Sequence, residues 1–307
     1  MVSRKRLPTS MADRGLSTFL HGLPTAMKWH LSVIQENDYK KRLNTGYLKK
    51  NFTLFRNSDR MIFSGIYILL SVPIFGVLYG ITAIAVVFIM LLSWMNAKRP
   101  VQFLTMIWAK AVFIIIGKNL RVYGKENIVR NEKYIVVANH ASLFDIVAIV
   151  SFFPQVSWFG HERLLKVPIF GKLLKMTDYV PFKEPTVTNT RHMLEQLMEK
   201  SKNQSVALFP EGTRTISGKI NPFYRGFIYL FKTRNISILP VTLNGFYDLK
   251  PKNRFYINFR SKLDVVIHKA IPKEELINKS DKEILDTVKT VIESAYHKKD
   301  NLNGRSE

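Results

Sequence analysis

Cysteine is absent from the 307-residue chain. That excludes disulfides, thiolate metal sites and a cysteine nucleophile, and it fits a reducing compartment. Acidic residues are scarce: 23 Asp and Glu stand against 46 Lys and Arg, a formal net charge of +23. An excess of that size implies a polyanionic partner, whether nucleic acid, an anionic membrane surface or a phosphorylated substrate. No internal repeat is visible. Apolar residues, by contrast, are plentiful. They make up 47% of the chain, which excludes global disorder and supplies a sizeable core.

Charge disappears altogether between Met61 and Ala97, in "MIFSGIYILLSVPIFGVLYGITAIAVVFIMLLSW" and the residues that follow it. Roughly 20 such residues span a bilayer, so this longer run is read as membrane-embedded. It starts too far into the chain to be an ordinary signal peptide. Pro73, Gly76 and Gly80 interrupt it, and basic residues flank it on both sides, with Lys98 and Arg99 following directly. These features favour a bent, re-entrant hairpin over a single span, with both ends on the cytoplasmic side. Residues 1–60 read as a basic tail or juxtamembrane segment whose Lys40-Lys41-Arg42 and Lys49-Lys50 clusters suit anionic headgroups. "VQFLTMIWAKAVFIIIG" (101–117) reads as an interfacial helix, completing a membrane-associated region over 61–117.

Residues 118–300 have the texture of an α/β domain. "KYIVVA" (133–138), "SVALFP" (205–210) and "ISILPVTL" (236–243) are short β-branched runs, as in buried strands. "FYINFR" (255–260) and "LDVVIH" (263–268) suggest a further strand or strand pair. Helical patterns alternate with them at Leu143–Phe153, Thr188–Lys200 and Tyr224–Thr233. A last amphipathic helix opens on the capping-box pair Ser280 and Glu283. The expected fold is therefore α/β: a mostly buried central sheet with helices on its faces, preceded by membrane-associated helices.

Three stretches carry candidate chemistry. In "NHASLFD" (139–145), His140 and Asp145 lie between a strand end and a helix start, where open α/β sheets place ligands. A carboxylate bonded to one imidazole nitrogen makes the other a general base. Alone, the segment reads at least as readily as a helix cap beside a loop histidine. In "LFPEGTRTISGK" (208–219), Gly212 permits a tight turn and Arg214 offers a forked donor to phosphate or carboxylate. Alone, it is as well a salt-bridged turn. "HERLLKVPIFGKLLKMTDYVPFK" (161–183) interleaves apolar and basic residues, a patch suited to a phosphorylated, acyl-bearing ligand or simply a solvated helix face.

Together and in this order, these segments resemble the motif blocks of the glycerolipid acyltransferases, above all the bacterial 1-acyl-sn-glycerol-3-phosphate acyltransferase family. "NHASLFD" matches block I (N-H-x4-D), "FPEGTRT" matches block III, and "LPV" (239–241) sits where block IV is expected. Block II is looser: "ERLLKVPIFG" and "YVPFK" put Lys183 where the family has Arg, and His161 and Glu162 depart from its usual lysines. The likeness covers roughly residues 115–250.

The resemblance implies a membrane-bound acyltransferase in which His140, oriented by Asp145, deprotonates the sn-2 hydroxyl of lysophosphatidate for direct attack on an acyl thioester. It assigns substrate binding to Glu211, Gly212, Thr213, Arg214 and Lys183. It implies no cofactor or metal, with acyl-CoA or acyl-ACP (acyl carrier protein) as donor substrate. Expected partners are the lysophospholipid, the donor and anionic membrane lipids, with the catalytic domain on the cytoplasmic face. The same motifs occur in relatives acting on glycerol-3-phosphate, dihydroxyacetone phosphate or other lysolipids such as lyso-ornithine lipid. A membrane-tethered nucleic-acid-binding protein fits the charge but has no binding motif here.

Overall fold

The computed structural model describes residues 47–95, 97–167, 170–176, 179–182, 187–234 and 236–297. Residues 1–46 of the segment read as a basic tail, and Lys183, lie outside the described residues. The chain divides into two compact units, 1–64 and 65–307. Everything below concerns the second unit, apart from the start of its first helix.

Helix α1 (Tyr47–Trp94) runs unbroken through Pro73. The re-entrant bend expected within 61–97 is therefore absent. Proline removes one ladder hydrogen bond, and in apolar helices that loss is tolerated. Helix α1 ends at Trp94, and the chain continues as α2 (Lys98–Ile115). Trp108 Nε1 donates to Thr82 Oγ1 at 3.1 Å, so the two helices pack antiparallel. Ala85, Val86 and Ile89 are buried, whereas Leu69, Val72, Ile84 and Phe88 of α1 are exposed. Gly65–Trp94 is long and apolar enough to cross a membrane.

The rest is one seven-stranded sheet with the order β1-β7-β6-β2-β5-β3-β4. Its strands are β1 (Leu120–Tyr123), β2 (Tyr134–Ala138), β3 (Val156–His161), β4 (Val180–Phe182), β5 (Ser205–Leu208), β6 (Ser237–Asn244) and β7 (Leu263–Ile267). All neighbours pair parallel except β6 and β7. Seven helices complete the second unit: α3 (Phe144–Phe152), α4 (Phe170–Met176), α5 (Val187–Ser201), α6 (Gly226–Thr233), α7 (Phe246–Leu249), α8 (Lys273–Leu276) and α9 (Asp281–Ser294). The capping box at Ser280 and Glu283 is formed, and Ile284, Val288 and Ile292 of α9 are buried.

Strand β2 shows why the central strands lack alternation: it is buried on both faces. Tyr134, Val136 and Ala138 enter a core shared with α1, α2 and α3. Ile135 and Val137 enter a second core shared with α5, α6 and α9. From β2 the chain crosses through α3 to β3 on one side. From β5 it crosses through α6 to β6 on the other. The adjacent strands β2 and β5 thus send their connections in opposite directions, which opens a crevice at their carboxyl ends.

"FYINFR" is not a strand. Its aromatic rings pack on α1 instead: Tyr67 lies 6.0 Å from Tyr256 and 5.7 Å from Phe259, and the Ile257 N–H donates to Ser71 Oγ at 2.9 Å. Lys118 Nζ holds the same loop through the carbonyls of Phe259 and Ser261, both at 2.6 Å.

Gly245 links β6 to α7 at φ +82°, where a Cβ would stand 1.8 Å from the Lys262 carbonyl oxygen. Gly245→Ala should therefore destabilise the domain by at least ~1–2 kcal/mol, from left-handed strain alone and before the backbone clash. Chemical unfolding of the detergent-solubilised protein measures this, and an unchanged midpoint would contradict it.

Candidate active site

His140 follows the end of β2 and Asp145 lies in the first turn of α3. Asp145 is fully buried, and its Oδ2 gathers three donors: His140 Nδ1 at 2.8 Å, Ala141 N–H at 2.6 Å and Ser142 N–H at 2.8 Å. The contact between His140 and Asp145 is thus formed, but the helix has no side-chain cap: the two backbone donors to Asp145 precede it. Because the carboxylate oxygen accepts, Nδ1 carries the proton and Nε2 is left as the basic nitrogen. The imidazole stacks on Phe209 with 3.9 Å between centroids and 9° between planes, and Trp158 stacks on the far side region of Phe209 at 5.6 Å. Asn139 anchors the strand end by a double bond to the Leu243 backbone, donating to its oxygen at 3.0 Å and accepting from its N–H at 2.8 Å.

The "FPEGTRT" loop grips the same histidine from the β5 side. Glu211 Oε1 accepts the His140 N–H at 2.7 Å, and the Thr215 N–H donates to the His140 carbonyl at 2.9 Å. Glu211 Oε2 accepts the Asn221 N–H at 2.8 Å, so both carboxylate oxygens bind backbone. The loop is pinned further along by Tyr247, whose hydroxyl donates to the Ile216 carbonyl at 2.6 Å, and by Tyr296, which donates to the Gly218 carbonyl at 2.7 Å. Gly212 sits at φ +66° with its turn facing the Tyr224 ring, and exposed Thr213 follows.

Arg214 is half-buried, and its guanidinium has no hydrogen bond or ion pair among the described residues. Burial lowers its pKa, with Asp145 acting in the opposite sense. Burial also pushes Glu211 up to about 7, against the pull of its two backbone donors, and the nearby Asp145 adds to the rise.

The structure therefore brings His140, Asp145, Glu211, Thr213 and Arg214 into one crevice. It gives Glu211 a supporting role in the frame of His140 rather than a free carboxylate. Sequence reasoning missed the struts Asn139 and Tyr296, whose partners are backbone atoms distant in sequence, and Asn221, whose backbone N–H meets the Glu211 side chain.

Residues 119–244 match the acyltransferase family model. The chloroplast 1-acyl-sn-glycerol-3-phosphate acyltransferase of Brassica napus is 27% identical over 206 residues, which is 64% of this chain and 60% of that protein. The enzyme of that name from Borreliella burgdorferi is 28% identical over 156 residues, half of this chain and 61% of its own. The crystal structure of the 1-acyl-sn-glycerophosphate acyltransferase PlsC from Thermotoga maritima superposes with a TM-score of 0.65 at 25% identity, covering 74% of this chain and 95% of that one. The chain spans about half to three-fifths of the length of several curated relatives. Its α/β domain thus shares the PlsC fold and, over residues 119–244, matches the acyltransferase family model.

The strut role of Glu211 has a pH signature. With a folded pKa raised from 4.5 to about 7, its contribution to stability is full below about 4.5 and is lost as pH rises through about 7. In Glu211→Gln, which does not titrate, unfolding midpoints measured across that window should lose this component of the wild-type decline. Its kcat should fall roughly ten- to a hundredfold with acceptor KM little changed, because the misplaced group is the base. A raised KM at unchanged kcat would instead return Glu211 to substrate contact.

Proposed function

We propose that the chain transfers a fatty-acyl group from an acyl thioester to the sn-2 hydroxyl of 1-acyl-sn-glycerol 3-phosphate, forming phosphatidate. The observation that carries this reading is the His140–Asp145 pair, in the same crevice as Arg214, with neither His140 Nε2 nor the guanidinium hydrogen-bonded among the described residues. His140 Nε2 takes the hydroxyl proton as the oxygen attacks the thioester carbonyl carbon. The tetrahedral intermediate collapses with loss of the carbon–sulfur bond, and the imidazolium returns its proton to the departing thiolate. Asp145 holds the imidazole and stabilises its charged form between the two transfers. No acyl-enzyme is required, in keeping with the absence of cysteine.

Arg214 suits the acceptor's phosphate, since a guanidinium fork matches that group. This favours a phosphorylated acceptor over lyso-ornithine lipid. For the acyl chain, a cavity of about 1120 Å³ lies among α1, α2 and α3, with Leu78, Trp108, Phe144, Val147 and Trp158 in its wall and the polar Arg99, Glu132 and Lys133 also lining it. It exceeds the ~300–1,000 Å³ of ordinary small-molecule sites. Its extent suits a long aliphatic chain, carried by coenzyme A or acyl carrier protein.

The exposed apolar side of α1 provides the route to the bilayer. Tyr67, Ser71 and Phe75 are packed against a loop that carries Arg254 and Arg260, charges that do not enter hydrocarbon. This favours α1 lying in one leaflet as a docking element, with the catalytic domain on the cytoplasmic face and anionic lipids matching the +23 charge.

His140→Ala should lower kcat by about 10²–10⁴ in a labelled acyl-CoA assay while the protein stays folded. Retained activity would refute the assignment. In sealed vesicles, a tag at residue 1 and one at residue 307 should be cleaved from the same side. Protection of only one of them would establish a true span.

A further inference from the structure

The segment after α7 lies outside the family motif blocks, yet it closes the crevice. Ser142, two residues from His140, donates its hydroxyl to the Lys250 carbonyl at 2.7 Å. Lys252 Nζ approaches Thr213 Oγ1 at 3.4 Å. Residues 250–252 therefore bridge the histidine loop and the "FPEGTRT" loop.

Three further cations lie near this bridge besides Lys252, and they are differently employed. Arg254 is committed: its guanidinium donates to the carbonyls of Asp248 and Leu249 and stacks 4.9 Å over the Tyr256 ring. Lys250 is half-buried, and its ammonium has no hydrogen bond or ion pair among the described residues. Arg214 is in the same condition. Burial lowers the Lys250 ammonium, and the charges of Arg214 and then Arg254 lower it further, so the two uncommitted cations repel one another across the crevice. Arg214 and Lys250 are thus two half-buried cations without a hydrogen-bonded partner among the described residues, Asp145 acts on Arg214 only through space, and a dianion is the ligand that would engage both.

We propose that Lys250 and Arg214 together seat a phosphate monoester dianion, Arg214 through its fork and Lys250 as a point charge. This rests on the acyltransferase reading above and extends it. The phosphate is that of the acceptor, and one of the two residues gripping it comes from beyond the motif blocks.

The test uses the full chain in detergent, with Lys250→Gln, Lys250→Arg and, for charge loss elsewhere, Lys279→Gln at an exposed position before α9. Lys250→Gln should raise the KM for lysophosphatidate roughly ten- to a hundredfold while kcat changes little. The KM for acyl-CoA should stay constant, Lys250→Arg should recover part of the loss, and Lys279→Gln should behave as wild type. Independently of turnover, glycerol 3-phosphate should raise the thermal midpoint of wild type and not that of Lys250→Gln. That arm separates failure of the phosphate seat from failure of the acyltransferase reading, because it survives if no acceptor is acylated. An unchanged acceptor KM together with an unchanged thermal response overturns the proposal. A rise confined to the acyl-CoA KM overturns it also, by moving the phosphate to the donor.

Discussion

Both backbone polar groups of His140 are held by one loop from another strand: its N–H by the Glu211 carboxylate, and its carbonyl by the Thr215 N–H. The rest of the site depends on that double grip. It makes the carboxyl ends of β2 and β5 a single rigid rim, and it fixes where the imidazole can stand relative to Arg214, one residue before Thr215. Catalysis by a positioned base is sensitive to displacements of about 1 Å. A base on a loop after a strand would move by that much unless its main chain were tied. The ring is limited in turn by Asp145 on one nitrogen and Phe209 beneath its face. Nε2 is the part left free.

That dependence explains what was legible in the sequence and what was not. The spacing of His140 and Asp145 is local, since a strand end followed by a helix start brings residues five apart into contact. The pairing of the two motif loops is not local. It became readable only through the resemblance, which carries the co-occurrence of "NHASLFD" and "FPEGTRT" without its cause. The cause is a hydrogen bond that the His140 N–H donates to a carboxylate some seventy residues away, and no residue pattern announces that.

The misjudged elements have physical reasons of their own. Strand β4 is three residues at the sheet edge with Pro181 in its middle, and β1 alternates over only four, so neither offers a period to detect. "FYINFR" has strand composition because its rings need an apolar partner, and α1 supplies one. Pro73 is expected to break a helix that in fact continues through it. Lys250 is not marked by the sequence because its interest lies in having no hydrogen-bonded partner among the described residues, which is a property of the folded surroundings and not of the residue.

The electrostatics of the crevice then follow from how its carboxylates are satisfied. Asp145 and Glu211 are both buried, and burial of such groups is costly unless donors meet them. Nearby arginine and lysine could have served, as in a buried ion pair. Instead every hydrogen bond to Asp145 and Glu211 comes from a backbone N–H or from His140. Among the described residues neither Arg214 nor Lys250 makes a hydrogen bond or ion pair, and Asp145 acts on Arg214 only through space. The proposed phosphate seat needs cations that the site's own carboxylates have not bound directly, and the two tied loops provide this by turning their N–H groups inward.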